Sequence, residues 1–381
     1  MLEIVVDGSL REAAVLKRTW LERRGSNDPR DTSGVWRFRE FLPECYGVGE
    51  IVTLSEGNVP LVRGQKTAQW AGLRNLWFKH LGWNPTGCFK DLGMTVGITE
   101  AKFVGAKAVG CASTGNTAAS LAAYAARAGL KARVYLPAGQ VSLNKLAQAL
   151  DFGAEVVEID GSFDDALDAL VRSANPDLYF LNSINPFRIE GQKTATFELL
   201  EQFDWEVPDY LVVPGGNLGN SSAFGKAFEE LKRYGLVDKV PRMIIVQAEG
   251  ANPFARLWNS GSRRLQATEH PETVATAIRI GNPRSWRKAL RAIEFTNGVV
   301  IDVTDHEIGE AKSIIGRDGI GCEPASATTL AGLRKLTVAG KLDPEATVAA
   351  VLTGHALKDT EYIIKSQQNL ESREVAGVHV S

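Results

Sequence analysis

Lys90 is the residue whose position first suggests chemistry. It follows a turn-forming run in the segment NPTGCFKD, residues 84–91, which leads directly into a predicted helix. Helix N-termini favour acidic side chains, because the helix dipole is positive at that end. A lysine in the first turn runs against this preference, although a solvated surface charge is the ordinary alternative. Whether this lysine is reactive depends on the residues that other parts of the chain place around it.

A second candidate is the segment ASTGN, residues 112–116, which follows a predicted strand and opens an alanine-rich helix. Ser113 and Thr114 can cap that helix, and Gly115 allows backbone amides to approach a bound anion. The alternative is an ordinary helix cap with no ligand.

The segment PGGNLGN, residues 214–220, follows the predicted strand DYLVV. Its glycines and asparagines favour a nest of backbone amides that points at a phosphate. It is not the GxxxxGK[ST] loop of nucleoside triphosphatases, because Lys226 comes too late in the sequence for that role. A bare glycine-rich turn is the alternative.

The segment LTGHALKD, residues 352–359, follows the apolar run ATVAAV. If that run is a strand of a parallel sheet, Thr353 and His355 lie at the edge where such sheets bind ligands. Either side chain could equally be a satisfied turn residue.

No other catalytic pattern competes with these segments. The sequence contains neither a GxSxG elbow nor an HExxH motif, and its five histidines include no pair at metal-ligand spacing. The remaining candidates are Lys90, the loop at residues 214–220, which suits a monophosphate, and the serine, threonine and asparagine side chains of these segments. Pyridoxal phosphate fits this set, because its aldehyde reacts with a lysine amine and its ring accepts electrons from a carbanion.

The elements that must position these residues form an alternating pattern. From about residue 107, short apolar runs such as KARVYLP and RMIIVQAE alternate with helical stretches such as LNKLAQALDFG. The apolar runs are continuous and rich in β-branched residues, as in a parallel sheet that is covered on both faces. Repeated βα units predict a doubly wound α/β fold, with the chemistry in the loops that follow strands.

Composition excludes several classes of function. Of 381 residues, 44% are hydrophobic and 23% are charged, and the net charge of -2 gives no basic field for nucleic acid or an anionic membrane. The first residues lack the pattern of a signal peptide. The cysteines have no CxxC spacing and indicate neither a zinc site nor a disulfide framework: Cys45, Cys88, Cys111 and Cys322. We therefore expect a cytoplasmic protein with reduced thiols.

Eight segments, spread in order from about residue 33 to 359, resemble the threonine synthase family within the fold type II (tryptophan synthase β-like) pyridoxal phosphate enzymes. They are SGVWRFREFLP, TLSEGNVPL, NPTGCFKDLGMT, ASTGNTAASLAAYAARAGL, NSINPFRIEGQKT, VPGGNLGN, EPASATTLAGL and LTGHALKD. NPFRIEGQKT together with TGHALKD points to this family in particular. One departure is Cys88, where the family usually has serine. A thiol is a weaker hydrogen-bond donor than a hydroxyl.

The resemblance implies a fold and a cofactor site. It implies two doubly wound open-sheet domains with pyridoxal 5'-phosphate in the cleft between them: a large domain of residues 1–85 and 195–381, and a smaller mobile domain of residues 86–194. Lys90 would bind the cofactor covalently and act in catalysis, Asn116 would bond to its phenolic oxygen, and Thr353 would face its ring nitrogen. The cofactor's phosphate would be held mainly by the backbone amides of Gly216, Asn217, Leu218, Gly219 and Asn220.

The resemblance also implies a substrate site and a reaction. Ser113 and Thr114 would receive the substrate's carboxylate, and Arg188 and Lys193 would bind its phosphate; a structural ion pair at Arg188 and a surface charge at Lys193 are the alternatives. The reaction would convert O-phosphohomoserine and water to threonine and phosphate, with no metal.

Other functions remain open from the sequence. A threonine or serine dehydratase, or a cysteate synthase, would share Lys90 but would not need Arg188 for a second phosphate. A non-catalytic protein that binds pyridoxal phosphate would have a disabled lysine. We expect a homodimer, the commonest assembly of soluble proteins.

Overall fold

A computed structural model describes residues 3–5, 12–43, 50–113, 115–139, 143–161, 165, 170 and 177–366. Two residues named above, Cys45 and Thr114, lie outside this set. Within the described part, no helix is long and apolar enough to cross a membrane.

Six strands form the larger sheet, in the order β1-β2-β10-β7-β8-β9. All neighbouring strands are parallel except β1 and β2, which are antiparallel. The strands are β1 (Leu61–Arg63), β2 (Asn75–His80), β7 (Tyr210–Pro214), β8 (Arg242–Ala248), β9 (Val299–Val303) and β10 (Thr347–Leu352).

Four strands from the middle of the chain form a second sheet, in the order β5-β4-β3-β6. Every neighbouring pair in this sheet is parallel. The strands are β3 (Ala108–Ala112), β4 (Lys131–Pro137), β5 (Glu155–Ile159) and β6 (Leu178–Phe180).

Helices connect the strands and cover the sheets. Among the described residues the α-helices are α1 (Ala13–Arg23), α2 (Pro29–Thr32), α3 (Lys66–Ala71), α4 (Lys90–Phe103), α5 (Asn116–Ala128), α6 (Leu143–Asp151), α7 (Pro186–Gln202), α8 (Gly219–Arg233), α9 (Pro253–Ser260), α10 (Trp286–Phe295), α11 (Asp305–Arg317) and α12 (Pro324–Val338). Short 3-10 helices span Trp36–Phe41, Leu81–Trp83, Glu249–Ala251, Thr276–Ile278 and Ala356–Asp359.

The residues of β10 show why its sequence is apolar throughout. Ala349 and Val351 belong to one buried cluster, whereas Val348, Ala350 and Leu352 belong to another. Successive side chains of a strand point to opposite faces, so both faces of the larger sheet are covered. The prediction of a doubly wound α/β fold with open parallel sheets is therefore confirmed. The exact domain boundaries at residues 85 and 194 stay a prediction.

Helices α4 and α7 pack with their backbones in close contact. A Cβ atom added at Gly191 of α7 would lie 1.8 Å from the Leu92 carbonyl oxygen, and one added at Gly93 of α4 would lie 2.7 Å from the Arg188 carbonyl oxygen. Only glycine permits so close an approach. This contact fixes the start of α4, with Lys90, beside the start of α7, with Arg188.

Candidate active site

Lys90 is the first residue of α4, and the turn before it is firmly held. The turn closes through a bond from the Gly87 N–H to the Asn84 carbonyl, at 2.8 Å, and Gly87 has a φ of 82°, which favours glycine. Asp91 accepts bonds from the Thr86 N–H at 2.7 Å and the Thr86 hydroxyl at 2.6 Å. Asp91 thereby fixes the turn to the helix that carries the lysine.

The amine of Lys90 has no hydrogen-bond or ion-pair partner among the described residues, and Nζ lies 4.1 Å from the centroid of the Phe89 ring. Removal from water lowers the pKa of Lys90 to about 7, and the guanidinium of Arg188 acts in the same direction, against the opposing effects of Cys88 and Glu323. A lysine with this pKa is in large part a neutral amine near pH 7, as a nucleophile or general base must be.

The glycine-rich segment after β7 forms a cradle at the N-terminus of α8. Leu218 adopts a left-handed conformation, with a φ of 63°, and α8 begins at the next residue. A Cβ atom added at Gly219 would have nothing closer than 3.9 Å, so the space beside this helix start is open. The side-chain amide of Asn220 and the hydroxyl of Ser221 are buried with no partner among the described residues. Amides at a helix start together with unpaired neutral polar groups fit a phosphate.

The side chain of Asn217, in the middle of this segment, bonds to two neighbouring loops. Its amide donates to the Ser183 hydroxyl at 2.6 Å, and its side-chain oxygen accepts a bond from the Arg284 N–H at 2.6 Å. Its side chain therefore connects three loops, which leaves the backbone of the segment to face a ligand.

Thr353 and Asn116 converge on one buried carboxylate. The Thr353 hydroxyl donates to Glu323 Oε1 at 3.0 Å, and the Asn116 amide donates to Glu323 Oε2 at 2.9 Å. Burial raises the pKa of Glu323, while bonds from Asn116 and Thr353 and the charges of Lys358 and Lys90 act in the opposite direction. The structure thus links two side chains that the family resemblance assigns to the cofactor.

Sequence reasoning missed Glu323. It stands at the N-cap of α12 in the segment EPASATTLAGL, where an acidic residue is already explained by the helix dipole. No local sequence pattern marks its role; in the structure Gly354 makes room for the carboxyl group, because a Cβ atom there would lie 2.4 Å from the Glu323 carboxyl carbon.

Ser113 lies in the loop between β3 and α5, and its hydroxyl accepts a bond from the Gly115 N–H at 3.3 Å. A Cβ atom at Gly115 would meet nothing within 4 Å, so the start of α5 also faces open space. The predicted role of Thr114 lies outside the described residues. Cys88 is buried, and its thiol is 3.7 Å from the Thr86 hydroxyl and 3.8 Å from the Asn116 carbonyl oxygen.

Arg188 is a buried cation with no carboxylate partner in the part of the chain that the structure describes. Its side chain is 2% exposed. It donates one long bond, of 3.3 Å, to the Leu181 carbonyl, and its Nε has no partner among the described residues. Burial lowers its pKa to about 10. The alternative of a structural ion pair at Arg188 is therefore not observed in the described part of the chain. A buried, unpaired guanidinium is costly unless an anionic ligand compensates it.

Lys193 differs from Arg188, because its ammonium already has carboxylate partners; its contact with the substrate's phosphate stays a prediction. Its Nζ lies 2.5 Å from Glu190 Oε2 and 2.7 Å from Glu230 Oε2, and the side chain is fully buried. Lys226 also pairs with Glu190 and Glu230. The ammonium of Lys193 is thus already neutralised inside a buried cluster of two lysines and two glutamates. The alternative of a surface charge is wrong.

His355 is held as a turn residue. Its Nδ1 accepts a bond from the Leu357 N–H at 3.2 Å, and its own N–H donates to the Gly87 carbonyl at 2.9 Å. In the described part of the chain no group of three His, Cys, Asp or Glu side chains could hold a metal ion.

Lys90, at the start of α4 after β2, has a lowered pKa, and the cradle at the start of α8 follows β7 in the same sheet. These features define the class of site that holds a phosphorylated aldehyde cofactor on lysine. The family model described as pyridoxal-phosphate dependent enzyme matches residues 52–354. The threonine synthase of Methanocaldococcus jannaschii is 49% identical over 337 residues, which is 88% of this chain and 83% of that protein. The threonine synthase of Methanosarcina acetivorans is 50% identical over 333 residues, which is 87% of this chain and 81% of that protein.

Solved structures agree on the fold. Maize serine racemase has a TM-score of 0.69 at 22% identity and covers 84% of this chain and 94% of its own. The serine racemase of Dictyostelium discoideum has a TM-score of 0.65 at 26% identity and covers 78% of this chain and 92% of its own. The chain belongs to the pyridoxal-phosphate dependent enzymes and, within them, to the threonine synthases.

Proposed function

We propose that this enzyme converts O-phosphohomoserine and water to threonine and phosphate, with pyridoxal phosphate bound to Lys90. One observation carries the proposal: two adjacent, closely packed helices present a lysine amine and a buried guanidinium that have no carboxylate partner among the described residues. The amine suits a covalent cofactor, and the guanidinium suits a second phosphate, which is the feature that separates a phosphorylated amino acid from a simple one.

The cofactor is proposed to lie between Lys90, Asn116, Thr353 and the cradle of residues 216–220. Lys90 would bind the aldehyde, Asn116 the phenolic oxygen and Thr353 the ring nitrogen, with the cradle around the phosphate. The unpaired side-chain atoms of Asn220 support this fit. When bound, pyridoxal phosphate supplies an acceptor for the electrons released at the substrate's Cα.

With the cofactor bound, Lys90 would move protons at Cα and Cβ of the substrate. The pKa of about 7 supports this role, because an amine near neutrality can both accept and return a proton. The C–O bond between Cγ and the phosphate would then break, and a proton added at Cγ, matching the one removed from Cβ, would make the methyl group. Water would supply the hydroxyl at Cβ and a proton to the leaving phosphate, so that the products are threonine and phosphate.

Arg188 is proposed to bind the substrate's phosphate and to stabilise it as it leaves. The guanidinium offers forked donors that match phosphate geometry, and charge-assisted bonds of this kind strengthen as charge develops. Because Lys193 is already paired with two carboxylates, the proposal rests on Arg188 alone. Ser113 and Thr114 are proposed to receive the substrate's carboxylate at the N-terminus of α5.

We also propose a two-domain arrangement for the protein. Residues 1–85 and 195–381 form the large domain, residues 86–194 form the smaller one, and the smaller domain closes over the substrate to exclude stray water. The enzyme is a cytoplasmic homodimer; the free, buried state of Cys88, Cys111 and Cys322 supports a reducing compartment.

The test is direct. Purified protein loaded with pyridoxal phosphate is incubated with O-phosphohomoserine, and phosphate and threonine are measured together. Equal release of both products is expected. Release of phosphate with a keto acid and ammonia, but no threonine, would contradict the proposal.

A further inference from the structure

Helix α5, which begins just after Ser113, is anchored at two points on its buried face. The Ser120 hydroxyl donates to Asp91 Oδ1 at 2.6 Å, and the Tyr124 hydroxyl donates to Glu56 Oε2 at 2.8 Å. Ser120 and Tyr124 are four residues apart and fully buried, so they lie on one face of the helix. Burial and the neighbouring Glu56 raise the pKa of Tyr124, so its hydroxyl keeps the hydrogen that it donates.

Asp91 connects the first anchor to the turn that carries Lys90. It follows Lys90 directly, and it also accepts bonds from the N–H and the hydroxyl of Thr86 in that turn. Ser120 therefore holds α5 against the same carboxyl group that fixes the turn to α4.

Glu56 connects the second anchor to the same turn by another route. Besides the Tyr124 bond, Glu56 Oε2 accepts a bond from the Leu54 N–H at 3.0 Å. The next residue, Gly57, donates its N–H to Asn84 Oδ1 at 2.8 Å, and Asn84 begins the turn. In the proposed domain arrangement Glu56 belongs to the large domain and Tyr124 to the smaller one, so their bond crosses the boundary between the domains.

We propose that Ser120 and Tyr124 are positioning residues that set where the start of α5 lies relative to Lys90, and thereby how tightly the substrate's carboxylate is bound. The inference rests on the proposed function, in which Ser113 receives that carboxylate at the start of α5. With a rise of ~1.5 Å per residue, the two side chains lie about 6 Å and 12 Å along the helix axis from Asn116, the first residue of α5. Because a helix moves as a rigid rod, a shift at the anchors also shifts the helix start, where hydrogen bonds to a carboxylate weaken steeply with distance and angle.

The substitution Tyr124→Phe tests the inference, because it removes the hydroxyl and keeps the ring that fills the core. Glu56 retains its other donors, the Leu54 N–H and the hydroxyls of Ser33 and Thr53, so the variant should fold. Two compounds are compared: O-phosphohomoserine, and 3-aminopropyl phosphate, which is the same molecule without the carboxylate. The KM for O-phosphohomoserine should rise by about 5- to 10-fold, as for the loss of one hydrogen bond, whereas the inhibition constant of 3-aminopropyl phosphate should stay at the wild-type value.

The substitution Ser120→Ala removes the other anchor and should give the same selective rise in KM. Asp91 then keeps both bonds from Thr86, so this variant should fold as well. Tyr210→Phe, at the amino edge of the larger sheet, is the matched control for the loss of a tyrosine hydroxyl and should change neither constant. Circular dichroism and the visible absorption of the bound cofactor show that each variant is folded and loaded.

A purely structural role for the two hydroxyls predicts lower stability with equal effects on the two compounds. The variant Ser113→Ala, which removes a proposed carboxylate ligand, separates this inference from the function on which it rests. If Ser113→Ala alone shows the selective rise in KM, the inference is overturned and the proposed carboxylate contact stands. If neither it nor the two anchor variants show the rise, both are overturned. A wild type that forms no threonine from O-phosphohomoserine would overturn the proposed function and the inference with it.

Discussion

The Arg188 guanidinium lies close enough to Lys90 to lower the pKa of the lysine amine. The two residues lie in the first turns of neighbouring helices whose backbones touch at Gly93 and Gly191, so neither helix can move away without losing its packing. Two cations side by side repel each other, and no carboxylate in the described part of the chain pairs with Arg188. The buried Arg188 guanidinium therefore lacks a compensating anion among the described residues, which fits its proposed contact with the substrate's phosphate.

Lys90→Ala should abolish both turnover and the visible absorption of the bound cofactor, because the amine that binds the aldehyde is lost. The fold should survive, since the Lys90 amine makes no bond to a described residue. Absorption spectra and circular dichroism check both points. Lys102→Ala, an exposed position on the same helix, is the control and should change neither. A remaining absorption band that borohydride fixes onto a peptide without residue 90 would identify another lysine as the anchor.

Arg188→Met should raise the pKa of Lys90, because a cation that disfavours the charged amine is removed. In the wild type the amine loses its proton at a pH of about 7, so the rate at which apoprotein captures pyridoxal phosphate should rise through that pH. In the variant the same rise should move to higher pH. Stopped-flow measurements across the pH range test this, with exposed Arg287→Met as the control. An unmoved profile would mean that burial alone sets the pKa.

Arg188→Ala should leave the cofactor bound but reduce turnover of O-phosphohomoserine by ~10²-fold or more, as expected for the loss of a charge-assisted phosphate contact of ~3 kcal/mol. Slow deamination of unphosphorylated serine or threonine, where measurable, should continue. Steady-state kinetics on both kinds of substrate make the comparison. Equal losses on the two would remove the phosphate assignment from Arg188.

Local signals in the sequence predict much of this site. The cradle at residues 214–220 is predictable because an apolar run followed by glycines describes a strand, a tight turn and a helix start without any distant partner. Lys90 is predictable in the same way, from its place behind the turn. The sequence also places Thr353 at the sheet's edge, and it does follow β10 directly.

The rest depends on contacts between distant parts of the chain. Asn116 and Glu323 are 207 residues apart in the sequence, and no local sequence pattern predicts the hydrogen bond between them. From the sequence, Lys193 could be an ordinary surface charge of a helix or a phosphate ligand. In the structure, Glu230 of α8 forms an ion pair with it. Charge alone does not distinguish a lysine that binds a ligand from one that neutralises buried carboxylates.

Lys193→Met should destabilise the protein without a specific effect on the substrate's phosphate. Removing one member of a buried charge cluster leaves Glu190 and Glu230 short of positive charge, at a cost of about 3–5 kcal/mol. Denaturant unfolding should show this loss. The protein that remains folded should keep nearly the wild-type KM for O-phosphohomoserine. A large rise in KM with unchanged stability would instead return Lys193 to the substrate site.

Gly191→Ala should separate the two helices that carry Lys90 and Arg188. The new Cβ atom would lie 1.8 Å from the Leu92 carbonyl oxygen, so the α4 backbone must shift, at a cost of about 1–3 kcal/mol or more. Because the shift moves Lys90 relative to Arg188, turnover should fall further than the loss of folded protein explains. Gly316→Ala in α11 is the matched control: its Cβ atom meets nothing within 4 Å, and alanine should stabilise that helix by about 0.5–1 kcal/mol. Thermal melts and kcat measured on both variants decide the matter. If Gly191→Ala melted and turned over like Gly316→Ala, the close helix contact would have no part in positioning the two cations.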